Sequence, residues 1–354
     1  MMNRLREKLS KALFRLKRQP RWARWLRPTV KHVGPDEVWL LPDHDAAPLT
    51  DVEVWGFEDA VLDVNSGVIL KNSAAVEGTF RLPELNGERP EFLRMAPAVQ
   101  PTMKLAGAVA SLDWIWSKNY FHFMRETLTM VHAFRALPAD LPLTLLTHHG
   151  LPAGGEELVK EILPNSQILS LHHLSRVRAP LCVFAPTLLP ASESAGSLFM
   201  GFDSMPHLLR QTLKTIWRGL DLPTLPRRIF LGRGDVRHRR LLNEPEIVEL
   251  LAARGFQPLF LTGRTLGEQF ELFRNAEAIV AVRGATIGNL VAINHSLKFV
   301  SIRPTDESEA IVQSMVQRGE LIYGEVCGDG RDKNDDFRID PAALAAELDR
   351  LGLH

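Results

Sequence analysis

A chain of 354 residues, 45% apolar and 24% charged, is long enough for two globular domains and too evenly mixed for a disordered or fibrous protein. Its formal charge of zero gives no overall basic surface, so no nucleic-acid partner is expected. Two cysteines, Cys182 and Cys327, exclude a disulfide framework and a C-x-x-C metal pattern, and a reducing cytoplasm is the simplest compartment.

The charge balance is uneven. Residues 1–31 hold eleven Lys or Arg and one acidic residue, Glu7, so this segment carries +10 and the remainder −10. Within it Leu5, Leu9, Ala12, Leu13 and Leu16 recur at helical spacing among basic residues, followed by Trp22 and Trp25. Such an arm suits an anionic membrane surface, where each basic residue contributes about 1 kcal/mol. It is too short and too charged to span a bilayer, and its basic residues run through what would be the apolar core of a secretory signal.

From Val38 to Arg94 the chain is strand-like and turn-rich, with a hairpin expected about Asn65-Ser66-Gly67. Asp43-His44-Asp45 has the spacing of a metal-binding D-x-D but sits among prolines and reads as a turn. Next comes a helix over residues 119–137. Asn119 is its cap, Phe121, Met124, Leu128, Val131 and Phe134 form its core stripe, and His122, Glu126 and Thr129 lie on a neighbouring face. The dipole at a helix N-terminus disfavours the imidazolium, so His122 could accept a proton from a hydroxyl; Glu126 could orient it or be the base itself. Without further context, a capping His122 and a Glu126 paired with Arg125 or Lys118 explain the same residues.

Strands follow at Leu143–Leu146, Gln167–Leu171 and Val177–Phe184, with a helix near Gly155–Ile162 and a helical stretch over Phe202–Leu220. Asp221-Leu222-Pro223-Thr224-Leu225-Pro226 is the best linker in the chain, and a domain boundary is placed there.

Beyond it, Ile229–Leu231, Pro258–Leu261, Ala278–Val282 and Lys298–Ile302 alternate with helical segments, the pattern of a parallel sheet with crossover helices. One helix is capped by Asn243 and stops at Gly255; the next opens with Thr265 and Glu268 spaced as a capping box; a third should start just after Gly284-Ala285. After Pro304 a helix to Arg318, a polar loop over Gly328–Asp336 and a last helix over Pro341–Leu351 complete the chain. Ligands of such a sheet bind at the carboxyl ends of its strands. Two features open there: the Arg-rich loop Arg233–Arg240 and the turn Arg283–Asn289. Guanidinium groups and free backbone N–H groups are what a pyrophosphate requires, although a solvated basic loop has the same composition. No G-x-G-x-x-G fingerprint or P-loop occurs, which disfavours an NAD-type oxidoreductase.

Arg233, Arg239, Asn243-Glu244, Gly255-Phe256, Glu268-Gln269, Ala276 and Gly284-Ala285-x-x-x-Asn289 resemble glycosyltransferase family 61 in order and spacing. Asn119-Tyr120-x-His122-x-x-x-Glu126 is similar to that family's N-terminal signature, and the resemblance covers roughly residues 60–345. It implies an α/β, GT-B-like architecture, two Rossmann-like α/β domains facing a cleft. The expected layout is a basic arm over 1–31, an acceptor-side domain over 32–221, a nucleotide-sugar domain over 222–338 and a terminal helix over 339–354.

The implied activity is inverting transfer of a sugar from a nucleotide sugar to a glycan or lipid-linked glycan, as in capsular or surface polysaccharide synthesis at the inner face of the membrane. His122 and Glu126 would be catalytic. Arg233, Arg239, Asn243, Glu244, Glu268, Gln269, Arg283, Gly284, Ala285 and Asn289 would hold the donor. No metal or other cofactor is expected, because fixed donors would carry the leaving-group charge. The family usually has His where this chain has Arg283, and often Glu where it has Ser301. A non-catalytic nucleotide- or glycan-binding protein of the same fold is the alternative.

Overall fold

The computed structural model describes residues 29–31, 34–41, 52–64, 67–72, 74–76, 79, 103–113, 119–172, 175–186, 205, 207–220, 224–234, 239–305, 310–330 and 336–354. The arm over 1–28, Asp43-His44-Asp45 and Lys118 lie outside them. Two sheets organise the described chain.

The first sheet has ten strands: β1 (Thr29–Lys31), β2 (Glu37–Leu41), β3 (Val52–Asp63), β4 (Ile69–Lys71), β5 (Ala74–Val76), β6 (Met103–Lys104), β7 (Ala108–Ser111), β8 (Leu143–Thr147), β9 (Gln167–Ser170) and β10 (Arg176–Phe184). β10, β7, β8 and β9 are parallel neighbours, but β10 also pairs antiparallel with β3 from Arg176↔Asp63 to Phe184↔Trp55. β3 in turn pairs antiparallel with β2 and β4. This half is therefore a mixed sheet, and the expectation of a Rossmann-like N-terminal domain holds only for its parallel strands. The reason lies in β3, a run long enough to pair along almost all of β10 with the hairpin that follows it. That hairpin forms where expected, closed by Asp63 N–H to Val68 O and Gly67 N–H to Asp63 O. Thr29–Lys31 pair with β5, so the last three residues assigned to the arm belong to the sheet.

The second sheet is wholly parallel: β11 (Arg228–Leu231), β12 (Gln257–Leu259), β13 (Ala278–Val282), β14 (Leu297–Arg303) and β15 (Leu321–Cys327), ordered β12-β11-β13-β14-β15. Counted from its own first strand this is the order 2-1-3-4-5, with its reversal between β11 and β13. Both faces are covered, as near-continuous apolar strands require. Phe230, Val280, Val282, Val300 and Ile302 pack with α4 (Glu244–Ala252) and α7 (Pro341–Arg350) through Ile247, Leu251, Leu344 and Leu348. The residues of 339–354 thus complete this half rather than standing apart from it.

The opposite face, through Ile229, Leu231, Ile279, Ala281 and Phe299, joins a core that also holds residues of the first sheet. Helix α1 (residues 120–136), α2 (Gly155–Ile162), α3 (His207–Thr215), α5 (Leu266–Asn275) and α6 (Ala310–Gln317) contribute to it. The two halves are held by one apolar cluster, and removing a side chain such as Phe270, fully buried there, costs about 3–5 kcal/mol.

Two local expectations change. Asn243 occupies the cap position of α4 but makes no capping bond; its amide donates to Ile339 O and Glu246 and accepts from Ile339 N–H, tying the helix start to the C-terminal segment. The segment after Gly284 forms a 3-10 helix, Ala285–Ala292, whose residues from Ile287 on are all buried. Packing by α1, α3 and α5 shapes it rather than intrinsic propensity. The capping box of α5 forms as its sequence indicates, and Gly255 ends the α4 turn with φ of 77°.

Candidate functional site

The carboxyl ends of β11 and β13 flank the strand-order reversal, the place where open α/β sheets leave a crevice. After β11 the chain runs through Gly232-Arg233-Gly234. The Glu244 carboxylate folds onto this turn and accepts from Arg233 N–H at 3.0 Å, and a β-carbon on Gly232 would lie 2.5 Å from Glu244 Oε1. After β13 come Arg283 and Gly284. A β-carbon on Gly284 would fall 2.1 Å from Arg233 Nη1, so the two loops meet where the Arg233 guanidinium crosses the glycine. Arg233 and Arg283 are both half-buried.

Arg239 is exposed with φ of 59°, and Asp235–His238 before it are outside the described residues. Arg240 beside it is pinned to the buried Asp336, which accepts from its backbone N–H at 2.8 Å and from its Nη2 at 2.7 Å. This clamp was not legible in the sequence, because Asp336 lies at the end of a polar loop with no periodic signal.

Helix α1 reaches the same region from the N-terminal half. It begins at Asn119, which caps Phe121 N–H, and all five expected core residues are buried. Over Phe123–Thr127 it widens into a π-turn, a feature often found at functional positions. His122 Nδ1 lies 3.2 Å from both carboxylate oxygens of Glu126, and the buried Arg125 donates from Nη1 to Glu126 Oε1 at 3.0 Å. Burial pulls the Arg125 pKa down while Glu126 opposes the shift. A carboxylate thus stands between an imidazole and a buried guanidinium. Thr129, expected on the same face, turns its hydroxyl back to Arg125 O.

Gly288 of the 3-10 helix packs on α1: a β-carbon there would come 3.2 Å from the Tyr120 ring and 3.4 Å from Phe121 Cα. Beside it Tyr120 donates to Asn289 Oδ1 at 2.5 Å, and Asn289 Nδ2 donates to Gln269 Oε1 at 3.1 Å. Asn289 has no exposed surface, and burial raises the Tyr120 pKa above its ordinary value. Asn289 and Gln269 thus tie α1, the 3-10 helix and α5 together. Glu268 serves the capping box of α5, and Ala285 opens the 3-10 helix directly behind Gly284. Ser301 is buried within β14.

The structure therefore joins Arg233, Glu244, Arg283, Gly284 and Ala285 at one sheet edge, and His122 and Glu126 on the helix packed against the segment that follows. Asn243, Glu268, Gln269 and Asn289 are engaged in bonds that hold elements in place. A cavity of about 350 Å³ lies elsewhere, at the carboxyl ends of β8 and β9, lined by Thr147, Gly150, Glu156, Glu157 and Ser170 among others. Its lining holds no Lys, Arg or His and so lacks the positive charge that a diphosphate needs.

Residues 120–300 match the family model Glycosyltransferase 61, just over half of the chain. Among solved structures, two of the dodecameric iron-containing glycosyltransferase TibC, a heptosyltransferase from enterotoxigenic E. coli, one of them in complex with ADP-D-beta-D-heptose, are similar. Each is 11% identical over 78% of this chain and 80% of that one, with TM-scores of 0.32 and 0.33. No curated protein matches. With its signature helix α1, its Arg233 loop and its Gly284 turn all inside the matched region or on its border, the chain belongs to glycosyltransferase family 61.

Proposed function

We propose that this glycosyltransferase moves a sugar from a nucleoside diphosphate sugar to a hydroxyl of a glycan or lipid-linked glycan, with inversion at the anomeric carbon. The observation that carries the reading is the Arg233 guanidinium lying across Gly284 at the sheet's strand-order reversal. Guanidinium and backbone N–H donors fixed there suit the two phosphates of the leaving group. Arg283, next to Gly284, adds positive charge there, and Arg239 in the loop after β11 would add more.

In the reaction His122 donates from Nδ1 to Glu126 and accepts the proton of the acceptor hydroxyl at Nε2. The acceptor oxygen attacks the anomeric carbon from the face opposite the phosphate, the bond to the phosphate oxygen breaks, and the nucleoside diphosphate leaves with its charge met by Arg233. Glu126 stabilises the imidazolium that forms, and the buried Arg125 holds the Glu126 carboxylate in place. In this scheme the leaving group needs no metal. The site would be completed where the N-terminal half faces the second sheet, in the manner of a GT-B cleft.

The basic segment before β1, residues 1–28, would hold the enzyme to the anionic inner leaflet, next to lipid-linked acceptors of capsule or surface polysaccharide synthesis. Among the described residues no helix is long and apolar enough to cross a membrane. The test is release of nucleoside diphosphate from a panel of sugar nucleotides, with a matching rise in melting temperature. Release with one donor supports transfer; binding without release with any acceptor favours a non-catalytic binding protein; neither binding nor release overturns the assignment.

A further inference from the structure

We propose that Asp113, His148 and His149 form a binding site for a divalent transition-metal cation of the zinc class. One possible ligand atom of each lies within 4.8 Å of those of the other two. Asp113 follows β7 and His148-His149 follow β8, neighbouring parallel strands in register at Ser111↔Leu146, so the sheet itself brings the three to one edge. A tetrahedral ion about 2.1 Å from each ligand sets ligand atoms roughly 3.4 Å apart, so side-chain rotation on the order of an ångström completes the set.

The carboxylate is held in advance. Asp113 is 1% exposed; its Oδ1 accepts from Thr147 Oγ1 at 3.0 Å, and its Oδ2 accepts from His148 N–H and lies 2.7 Å from His148 Nδ1. This contact holds carboxylate and ring together, and a cation bound by both would take the place of the proton between Nδ1 and Oδ2. The His148 and His149 rings lie with centroids 3.4 Å apart, tilted 45° to one another. Imidazole nitrogens with a carboxylate favour zinc, nickel, cobalt or ferrous iron over magnesium or calcium.

A second observation points the same way. The 350 Å³ cavity is lined by Thr147 and Gly150, the residues on either side of His148-His149, and carries the carboxylates of Glu156 and Glu157 in its wall. It opens beside the turn that carries the two histidines, with acidic side chains in its wall. The site is built from residues of the first sheet that the donor reading above does not use, so the two are tested separately. Its effect would be to fix the connection from β8 to α2 on the acceptor side.

The test uses the full-length protein, stripped with chelator, desalted and titrated with Co²⁺ and then Zn²⁺. One equivalent of Co²⁺ with a visible absorption band that Zn²⁺ displaces is expected, and no comparable uptake of Mg²⁺. His149→Ala and the pair His148→Ala, His149→Ala should lower affinity by at least about tenfold while melting like the metal-free wild type. His149→Asn serves if the alanine variants do not fold. No uptake by the wild type overturns the proposal, and so does a double variant that binds as tightly as the wild type, since other histidines would then account for the uptake.

Discussion

The Arg233 guanidinium lies across Gly284 so closely that a β-carbon at position 284 would sit 2.1 Å from Nη1. Arg233 lies two residues beyond β11 and Gly284 two residues beyond β13, so this contact bridges the loops after the two strands between which the sheet order reverses. Position 284 is extended, with φ of −171°, and a larger residue meets no backbone penalty there. Its size matters only because of Arg233.

Gly284→Ala should therefore leave the fold intact and push the flexible guanidinium aside. On the proposed function, nucleoside diphosphate affinity falls by about 10- to 100-fold, the worth of a charge-assisted hydrogen bond, and Arg233→Ala gives a similar loss. Calorimetric titration of both variants, alone and combined, checks this. Losses that fail to add would show the two acting through one contact.

Tyr120, Asn289 and Gln269 form a buried chain linking the N-terminal helix to the second sheet's helices. Tyr120→Phe removes the donor to Asn289 Oδ1 and should lower stability by about 1–3 kcal/mol, the cost of an unmet buried polar group. Asn289→Ala breaks both bonds and should cost at least as much. Denaturant unfolding followed by Trp fluorescence measures these losses.

Histidine and carboxylate on α1 separate by kinetics. His122→Ala should lower kcat by about 10²- to 10⁴-fold with donor affinity unchanged, and Glu126→Gln should lower it less, since it removes the partner of the base rather than the base. Steady-state rates with saturating donor distinguish them. A larger loss at Glu126→Gln would transfer the base to the carboxylate.

Acid stability should report on Glu320, which joins α3 to the start of β15 through Lys214 at 2.8 Å and also meets Arg318 at 2.8 Å. Burial alone would raise its pKa, but the bonds from Lys214 and Arg318 outweigh that and hold it below its ordinary 4.5. A carboxyl depressed on folding contributes stability that is full above the unfolded value and is lost as pH falls through the folded one. Glu320→Gln should thus be less stable than the wild type by about 1–2 kcal/mol at neutral pH, and the difference should shrink as the pH is lowered below the ordinary carboxyl range. Unfolding curves across that pH range decide it.

The second sheet was legible because its strands are buried on both faces and read as short apolar runs; Ala278–Val282 occupies the bounds its sequence suggests. β15 was not, since it is an edge strand whose alternating exposure and Gly324 resemble a loop, and Gly324 is small because Glu347 of α7 lies against it. His122 and Glu126 could be paired from helical spacing alone, whereas the π-turn between them and the role of buried Arg125 depend on packing. Asp113 and His148-His149 are 35 positions apart and meet only through the register of β7 and β8. Asn243 shows the reverse case: a good cap signal whose side chain is taken by a more distant backbone, that of Ile339.

The most direct test of the central claim is donor turnover: release of nucleoside diphosphate from the sugar nucleotide that stabilises the protein, measured with acceptor for wild type, Arg233→Ala and His122→Ala. The account predicts release by the wild type, weakened donor binding in Arg233→Ala, and normal binding with turnover reduced about 10²-fold or more in His122→Ala. Wild-type levels of binding and release in both variants would contradict it.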